Sequence, residues 1–186
     1  MTNFVKYENE LNRINSVAHS SPEAFIADTE EAFHRNLRSI VSEIAKKNSC
    51  RMIMLFGPSS SGKTTTSHLL QNAFQKCGVG STILSLDDFY RGEKQAPLLP
   101  NGQHDYESVE ALNIPEVQAC LSGLIENNFC DMPLFDFAVR RPSPHRRHVE
   151  LAENGIAIVE GIHALNPVIT DCLPAEKICT AYISVK

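Results

Sequence analysis

Residues 52–67 read MIMLFGPSSSGKTTTS. Five apolar residues, Met52 to Phe56, run straight into a turn of small and hydroxylated side chains around a single lysine. A short apolar run closed by glycine suits a buried strand, and the segment after Lys63 suits a helix. Gly57-Pro58-Ser59-Ser60-Ser61-Gly62-Lys63-Thr64 fits G-x-x-x-x-G-K-[ST] at every fixed position, between strand and helix as the motif requires. Successive backbone amides must turn inward to cradle phosphate oxygens, so bulky side chains have no place there. Gly57 and Gly62 permit the required backbone angles, and the positive end of the following helix favours an anion. Lys63 reaches the terminal phosphates and Thr64 offers its hydroxyl to magnesium. The expected ligand is a nucleoside triphosphate with Mg2+, held by Gly57, Pro58, Ser59, Ser60, Ser61, Gly62, Lys63, Thr64 and Thr65.

Outward from this stretch, apolar runs at 51–56, 81–86, 156–159 and 178–185 read as strands. Segments at 63–77, 115–127 and about 164–172 read as helices. Such alternation favours an α/β fold, a parallel sheet with helices on both faces. Cys77-Gly78 closes the first of these helices, Asn113-Ile114-Pro115-Glu116 opens the second in the manner of a capping box, and Asn166-Pro167 opens the third. Residues 91–107 are polar and rich in proline and glycine, and read as a loop. Upstream, residues 1–48 read as a helical N-terminal extension to a domain spanning 49–186. Phe4, Tyr7, Leu11, Ile14 and Ala18 recur at helical steps. Ser21 and Pro22 then start a second helix with the stripe Phe25, Thr29, Phe33, Leu37, Ile40 and Ile44.

Two strands end in acid. Thr82 to Leu86 runs into Asp87-Asp88-Phe89-Tyr90, and Ile156 to Val159 into Glu160-Gly161. Ligands of open α/β sheets bind at this carboxyl edge. Asp87 there can take a proton from an attacking hydroxyl or help to hold magnesium, and Asp88 can do the same or serve a turn. Glu160 stands at the position of a second magnesium-organising carboxylate. His163, just beyond, suits either the site or a packing role.

GPSSSGKTT, SLDDFY and VEGIHALNP, in that order, resemble the uridine kinase and phosphoribulokinase group of P-loop kinases, in particular a bacterial uridine kinase-like nucleoside kinase subgroup. The resemblance covers residues 51–186. It implies ATP-dependent phosphorylation of a hydroxyl, often that of a nucleoside, with Asp87 as catalytic base. Tyr90 and the pair Tyr106-Glu107 fall where the family holds the sugar. Phe135-Asp136-Phe137 falls where uridine kinases read Tyr-Asp-Phe and contact the base. A phenyl ring at 135 can stack on a base but cannot hydrogen-bond one. The histidine that follows in uridine kinases has no counterpart, and Arg140-Arg141 occupies its region. These two departures open the site to a more anionic acceptor, a sugar phosphate of the phosphoribulokinase kind. The family also continues past the equivalent of Lys186 with an arginine-bearing lid and a further strand, so weakened triphosphate binding and slow or absent transfer are expected of residues 1–186 alone.

Arg140-Arg141-Pro142-Ser143-Pro144-His145-Arg146-Arg147-His148 is a concentrated basic run in a chain of formal net charge -5. Between Phe137 and Val149 it suits the tip of a β-hairpin. Arg140 and Arg141 can clamp substrate or phosphate oxygens; the rest suits a solvated loop. Nucleic acid is disfavoured as a partner by the acidic balance and the shortness of the run. No apolar run is long enough to span a membrane. Six cysteines without C-x-x-C spacing suit reduced core thiols and, with a polar N-terminus, a cytoplasmic protein. A homo-oligomer is compatible with the sequence. Absence of N-K-x-D argues against a switch GTPase. A nucleotide-binding regulatory module without turnover is the remaining alternative to a small-molecule kinase.

Overall fold

The computed structural model describes residues 11–47 and 49–184. Two compact units make up the chain, divided after Ile40. The first holds α1 (Leu11–Ser20) and the start of α2 (Pro22–Lys46). Phe4 and Tyr7 lie outside the described residues. Ser21 precedes the helix and its carbonyl accepts from the Phe25 amide at 3.0 Å, so the chain turns into α2 at the Ser-Pro step.

The second unit is built on four parallel strands: β1 (Met52–Phe56), β2 (Ser81–Ser85), β5 (Ile156–Glu160) and β6 (Ile178–Tyr182), in the order β2-β5-β1-β6. Between β2 and β5 the chain forms α4 (Ile114–Glu126) and an antiparallel hairpin of β3 (Phe129–Asp136) and β4 (Arg141–Glu150). Helix α3 (Lys63–Lys76) follows β1, and a single-turn helix α5 (Pro167–Thr170) precedes β6. The parallel α/β sheet with flanking helices is the one the alternating pattern predicts.

β1 and β5 are buried along almost their whole length, because helices cover both faces of a parallel sheet. Met52, Met54, Leu84, Ala157 and Val159 share a core with Val117, Leu121 and Leu124 of α4 and with Cys130, Met132 and Val149 of the hairpin. The intervening Ile53, Leu55 and Ile158 are equally buried and, by strand alternation, belong to the face that carries α3 with Leu70 and Phe74. Gly78 adopts φ 73°, and Val79 donates back to the Phe74 carbonyl at 3.0 Å, ending α3 as its sequence predicts.

Three expectations need correction. The basic run is not a hairpin tip: the turn is Phe137–Arg140, and residues 141–148 lie within β4. The helix expected over 164–172 shrinks to Pro167–Thr170, because Asn166 caps it only there, accepting from the Val168 amide at 3.0 Å. Asn113 opens α4, its carbonyl accepting from the Glu116 and Val117 amides at 3.0 Å, but its side chain caps no backbone amide and donates instead to Glu116 Oε2 at 2.9 Å.

β2 pairs with β5 alone and so leaves an open edge. Gly80 gives its carbonyl to Ile156, so by alternation the carbonyls of Ser81 and Ile83 face outward. Gln71 Nε2 donates to the first at 3.0 Å and Arg147 Nη2 to the second at 3.0 Å.

Candidate active site

The carboxyl ends of β1, β2 and β5 lie side by side in register: Leu55 pairs with Glu160, and Ser85 pairs with Glu160 from the other side. This placement gathers residues 57–65, 87 and 160 at one edge of the sheet. After β1 the backbone turns through Ser60 at φ 60° and Gly62 at φ 87°, both left-handed, before entering α3 at Lys63. Gly57 is pinned: a Cβ there would stand 2.4 Å from the Ile183 carbonyl oxygen and 2.6 Å from Ser61 Oγ. Gly62 provides no side-chain cap, and among the described residues the amides of Lys63, Thr64 and Thr65 have no acceptor. Ser61 Oγ is buried without a partner. A helix entrance with free amides, a buried free hydroxyl and a lysine is the donor set a chain of phosphates requires.

Lys63 Nζ donates to the Pro58 carbonyl at 2.7 Å, across the loop. Thr64 Oγ1 donates to Glu160 Oε1 at 3.4 Å. Glu160 is only 6% exposed. Burial raises its carboxyl above the ordinary range; a hydrogen bond from Ser85 opposes this, the Asp87 charge adds to it, and Lys63 and Thr64 pull it back. Asp87 sits in a 3₁₀ turn, Leu86–Phe89, that starts where β2 ends. Although accessible to solvent, its carboxyl loses hydration in the concavity and rises, with Lys63 and His163 opposing and Asp88 adding to the effect. Two carboxylates, one hydroxyl and one ammonium thus share a small volume, and the oxygen donors suit a hard divalent cation.

Gly161 makes this juxtaposition possible. A Cβ at 161 would come 2.8 Å from Leu86 Cβ, so only hydrogen lets the end of β5 pack against the turn that carries Asp87. Ser85 adds to the arrangement, accepting from the Asp87 amide at 3.4 Å while bonding Glu160. The sequence gives one hint of these two residues, since each stands beside an acidic strand end.

Asp88 turns away from the phosphate side and accepts from the Phe135 amide at 3.1 Å, anchoring β3 to the turn. Phe135 meets Tyr90 edge-on at 5.9 Å and Phe137 at 5.0 Å. Tyr90 Oη donates to the Tyr106 carbonyl at 3.0 Å, and Tyr106 Oη to the Glu93 carbonyl at 3.1 Å. Burial, with the charges of Asp87 and Glu107, pushes the Tyr90 phenol up to about 12, so it stays a donor. Alongside runs a cleft of about 400 Å³, lined by Asp88, Tyr90, Gln95, Asn113, Glu116 and Pro133 among others. Tyr90, Tyr106 and Phe135 are thus brought together beside Asp87.

His163, unresolved between two roles by sequence, lies among Asp87, Asp105 and Glu107. Burial lowers its pKa, against the pull of the Glu107 carbonyl and those carboxylates. Its Nε2 is buried and unpartnered. The basic run separates by residue. Arg140, at φ 51° in the hairpin turn, is engaged by Glu93 at 2.7 Å. Arg146 pairs with Glu116 at 2.7 Å, and Arg147 holds the edge of β2. The Arg141 side chain is exposed and has no ion pair or hydrogen bond among the described residues.

Comparison with known proteins finds relatives named as kinases. A uridine kinase of Lactobacillus helveticus is 31% identical over 114 residues, 61% of this chain and 53% of the relative. Nicotinamide riboside kinase 1 of Rattus norvegicus is 33% identical over 76 residues, 41% of this chain and 37% of the relative. The chain therefore spans about half the length, or less, of these curated relatives. Among solved structures, one described as a possible uridine kinase from Bacillus stearothermophilus superposes with a TM-score of 0.60 at 17% identity, over 79% of this chain and 80% of that one. A model of the phosphoribulokinase / uridine kinase family matches residues 52–170, from the first residue of β1 to the last of α5. Since that stretch holds the phosphate loop, both acidic strand ends and the hairpin, the chain belongs to the phosphoribulokinase / uridine kinase family.

Proposed function

We propose that this protein transfers the γ-phosphoryl group of ATP to a hydroxyl of a small molecule, with a nucleoside as acceptor. The observation that carries the reading is the convergence of Lys63, Thr64, Asp87 and Glu160 at one edge of the sheet, next to the aromatic group of Tyr90, Tyr106 and Phe135. The free amides of Lys63–Thr65 and the Lys63 ammonium bind and orient the phosphates. Thr64, Glu160 and Asp87 hold Mg2+, which when bound offsets charge on the phosphate oxygens. Asp87 accepts the proton of the acceptor hydroxyl; its raised pKa makes it a better base than an ordinary carboxylate, provided the pH keeps it ionised. Positioning and charge compensation then supply most of the acceleration.

The 400 Å³ cleft and the edge-on Tyr90–Phe135 pair suit a flat base and a sugar. Arg141, with its unengaged guanidinium, favours a second reading, a sugar-phosphate acceptor, although Arg140 is held by Glu93. A panel of uridine, cytidine and ribulose phosphate separates the two. Phosphorylated product should form with a nucleoside, and Asp87→Asn should lower turnover by about 10²- to 10⁴-fold. Unchanged turnover in that variant would remove Asp87 from its role. Nucleotide binding without product from any acceptor would favour a regulatory module.

A further inference from the structure

Two of the six cysteines meet away from the phosphate site. Cys120 of α4 and Cys130 of β3 are both free thiols, both buried, and near enough that each is the largest influence on the other's proton affinity. The close approach is built into the helix. Gly123, one turn beyond Cys120 on the same face, lies so near β3 that a Cβ there would stand 3.0 Å from the Phe129 carbonyl and 3.9 Å from Cys130 Cβ.

The pair is reachable. A cleft of about 370 Å³ opens onto both thiols, between the face of α4 that carries Glu116, Ala119, Cys120 and Gly123 and the strand residues Phe129 and Asp131. Arg146 spans from β4, pairing with Glu116 and donating to the Asp131 carbonyl. The influence of Cys120, with Arg147 and His148 nearby, favours the thiolate at Cys130 against the effects of burial and Asp131. A thiol whose ionisation is favoured, beside a second thiol and lining an open cleft, is the arrangement in which one sulfur attacks and the other resolves.

We propose that Cys120 and Cys130 form a reversible redox pair that closes to a disulfide with a low-molecular-weight disulfide as oxidant. The Cys130 thiolate attacks one sulfur of the small disulfide, forming a mixed disulfide and expelling one small thiolate. Cys120, its proton passing to that thiolate, then attacks Cys130 Sγ and expels the second. Two protein thiols are oxidised by two electrons, and one small disulfide is reduced to two thiols. Closure ties α4, which brings Asn113 and Glu116 to the larger cleft, to β3, which brings Pro133 to it.

Cys50 and Cys179 provide an internal comparison, because Cys179 also acts on the ionisation of Cys50. There burial and the neighbouring Cys179 push the Cys50 thiol up to about 12, which disfavours the attacking thiolate.

The test is equilibration of the 186-residue chain, with exposed Cys77 and Cys172 replaced by serine, in glutathione buffers of graded poise, followed by acid quench, alkylation and peptide mass mapping. The expected product is lighter by two hydrogens and carries a Cys120–Cys130 cross-linked peptide that dithiothreitol releases. Cys120→Ser should instead accumulate a glutathione mixed disulfide on Cys130. A chain that stays fully alkylatable at every poise, or that cross-links Cys50 to Cys179 instead, overturns the proposal. Far-ultraviolet circular dichroism of Cys120→Ser, unchanged from the parent, assigns its result to the missing thiol and not to unfolding.

Discussion

Lys63 reaches back over its own loop to the Pro58 carbonyl, so its ammonium is already positioned over the free amides of the α3 entrance. Replacing a charged hydrogen-bond donor to phosphate costs about 1.5–3 kcal/mol. Lys63→Ala should therefore weaken nucleotide binding by about 10- to 100-fold in a fluorescent-nucleotide titration. Glu160 predicts the opposite pairing of stability and function. Its carboxylate is buried and ionises at a cost, so Glu160→Gln should raise the melting temperature, by about 2–4 °C if about 1 kcal/mol is recovered. The same change should lower magnesium-dependent turnover. A melting temperature that falls in Glu160→Gln would show that its hydrogen bonds from Thr64 and Ser85 outweigh the cost of burying the charge.

Two junctions between elements carry the site. At the first, Gly161 lets β5 close on Leu86. Gly161→Ala should cost about 1–3 kcal/mol by overpacking and displace the turn bearing Asp87. Gly80→Ala, whose Cβ would meet only Ala152 at 3.6 Å, is the matched control and should change the melting temperature little. At the second junction, Asp88 holds the Phe135 amide. Asp88→Ala should raise the KM for the acceptor several-fold while leaving nucleotide affinity intact, which steady-state kinetics at saturating nucleotide would separate. The elements themselves were unequally legible. β1, the phosphate loop and α3 could be read because their determinants are contiguous: an apolar run, a glycine-bounded turn, then helical spacing. The β3–β4 hairpin could be read only as a hairpin near 137–149 with its tip misplaced, because Pro133, Pro142 and Pro144 and the run of arginines disturb the two-residue alternation that marks a strand. Asp88 could not be separated from Asp87 on sequence alone, since its partner lies 47 residues away. The engagement of Arg140 by Glu93 is equally remote in sequence.

For the molecule as a whole, the two raised carboxyls set a pH dependence. Asp87 and Glu160 both bind protons more tightly folded than unfolded, so their contribution to stability is fullest below the ordinary carboxylate range and declines as pH rises through the raised values. The difference in melting temperature between Glu160→Gln and the parent should accordingly be small near about pH 4 and grow toward neutrality. Calorimetry across that range checks the sign. Ligand acts in the other direction: ATP at about 100 times its Kd should stabilise the fold by about 2.7 kcal/mol, or some 5–10 °C. That shift should require magnesium and fall to about 0.4–1.4 kcal/mol in Lys63→Ala at the same ATP concentration.

The guanidinium of Arg147 has an effect wider than its single bond to Ile83. A bare outer strand invites a neighbouring chain to add another, and repeated addition leads to fibres. Here a cation from a distant hairpin and an amide from α3 occupy two of the carbonyls through which an incoming strand would dock. Stretches of positive charge are commonly scanned for what they attract; this arginine serves to keep like molecules apart.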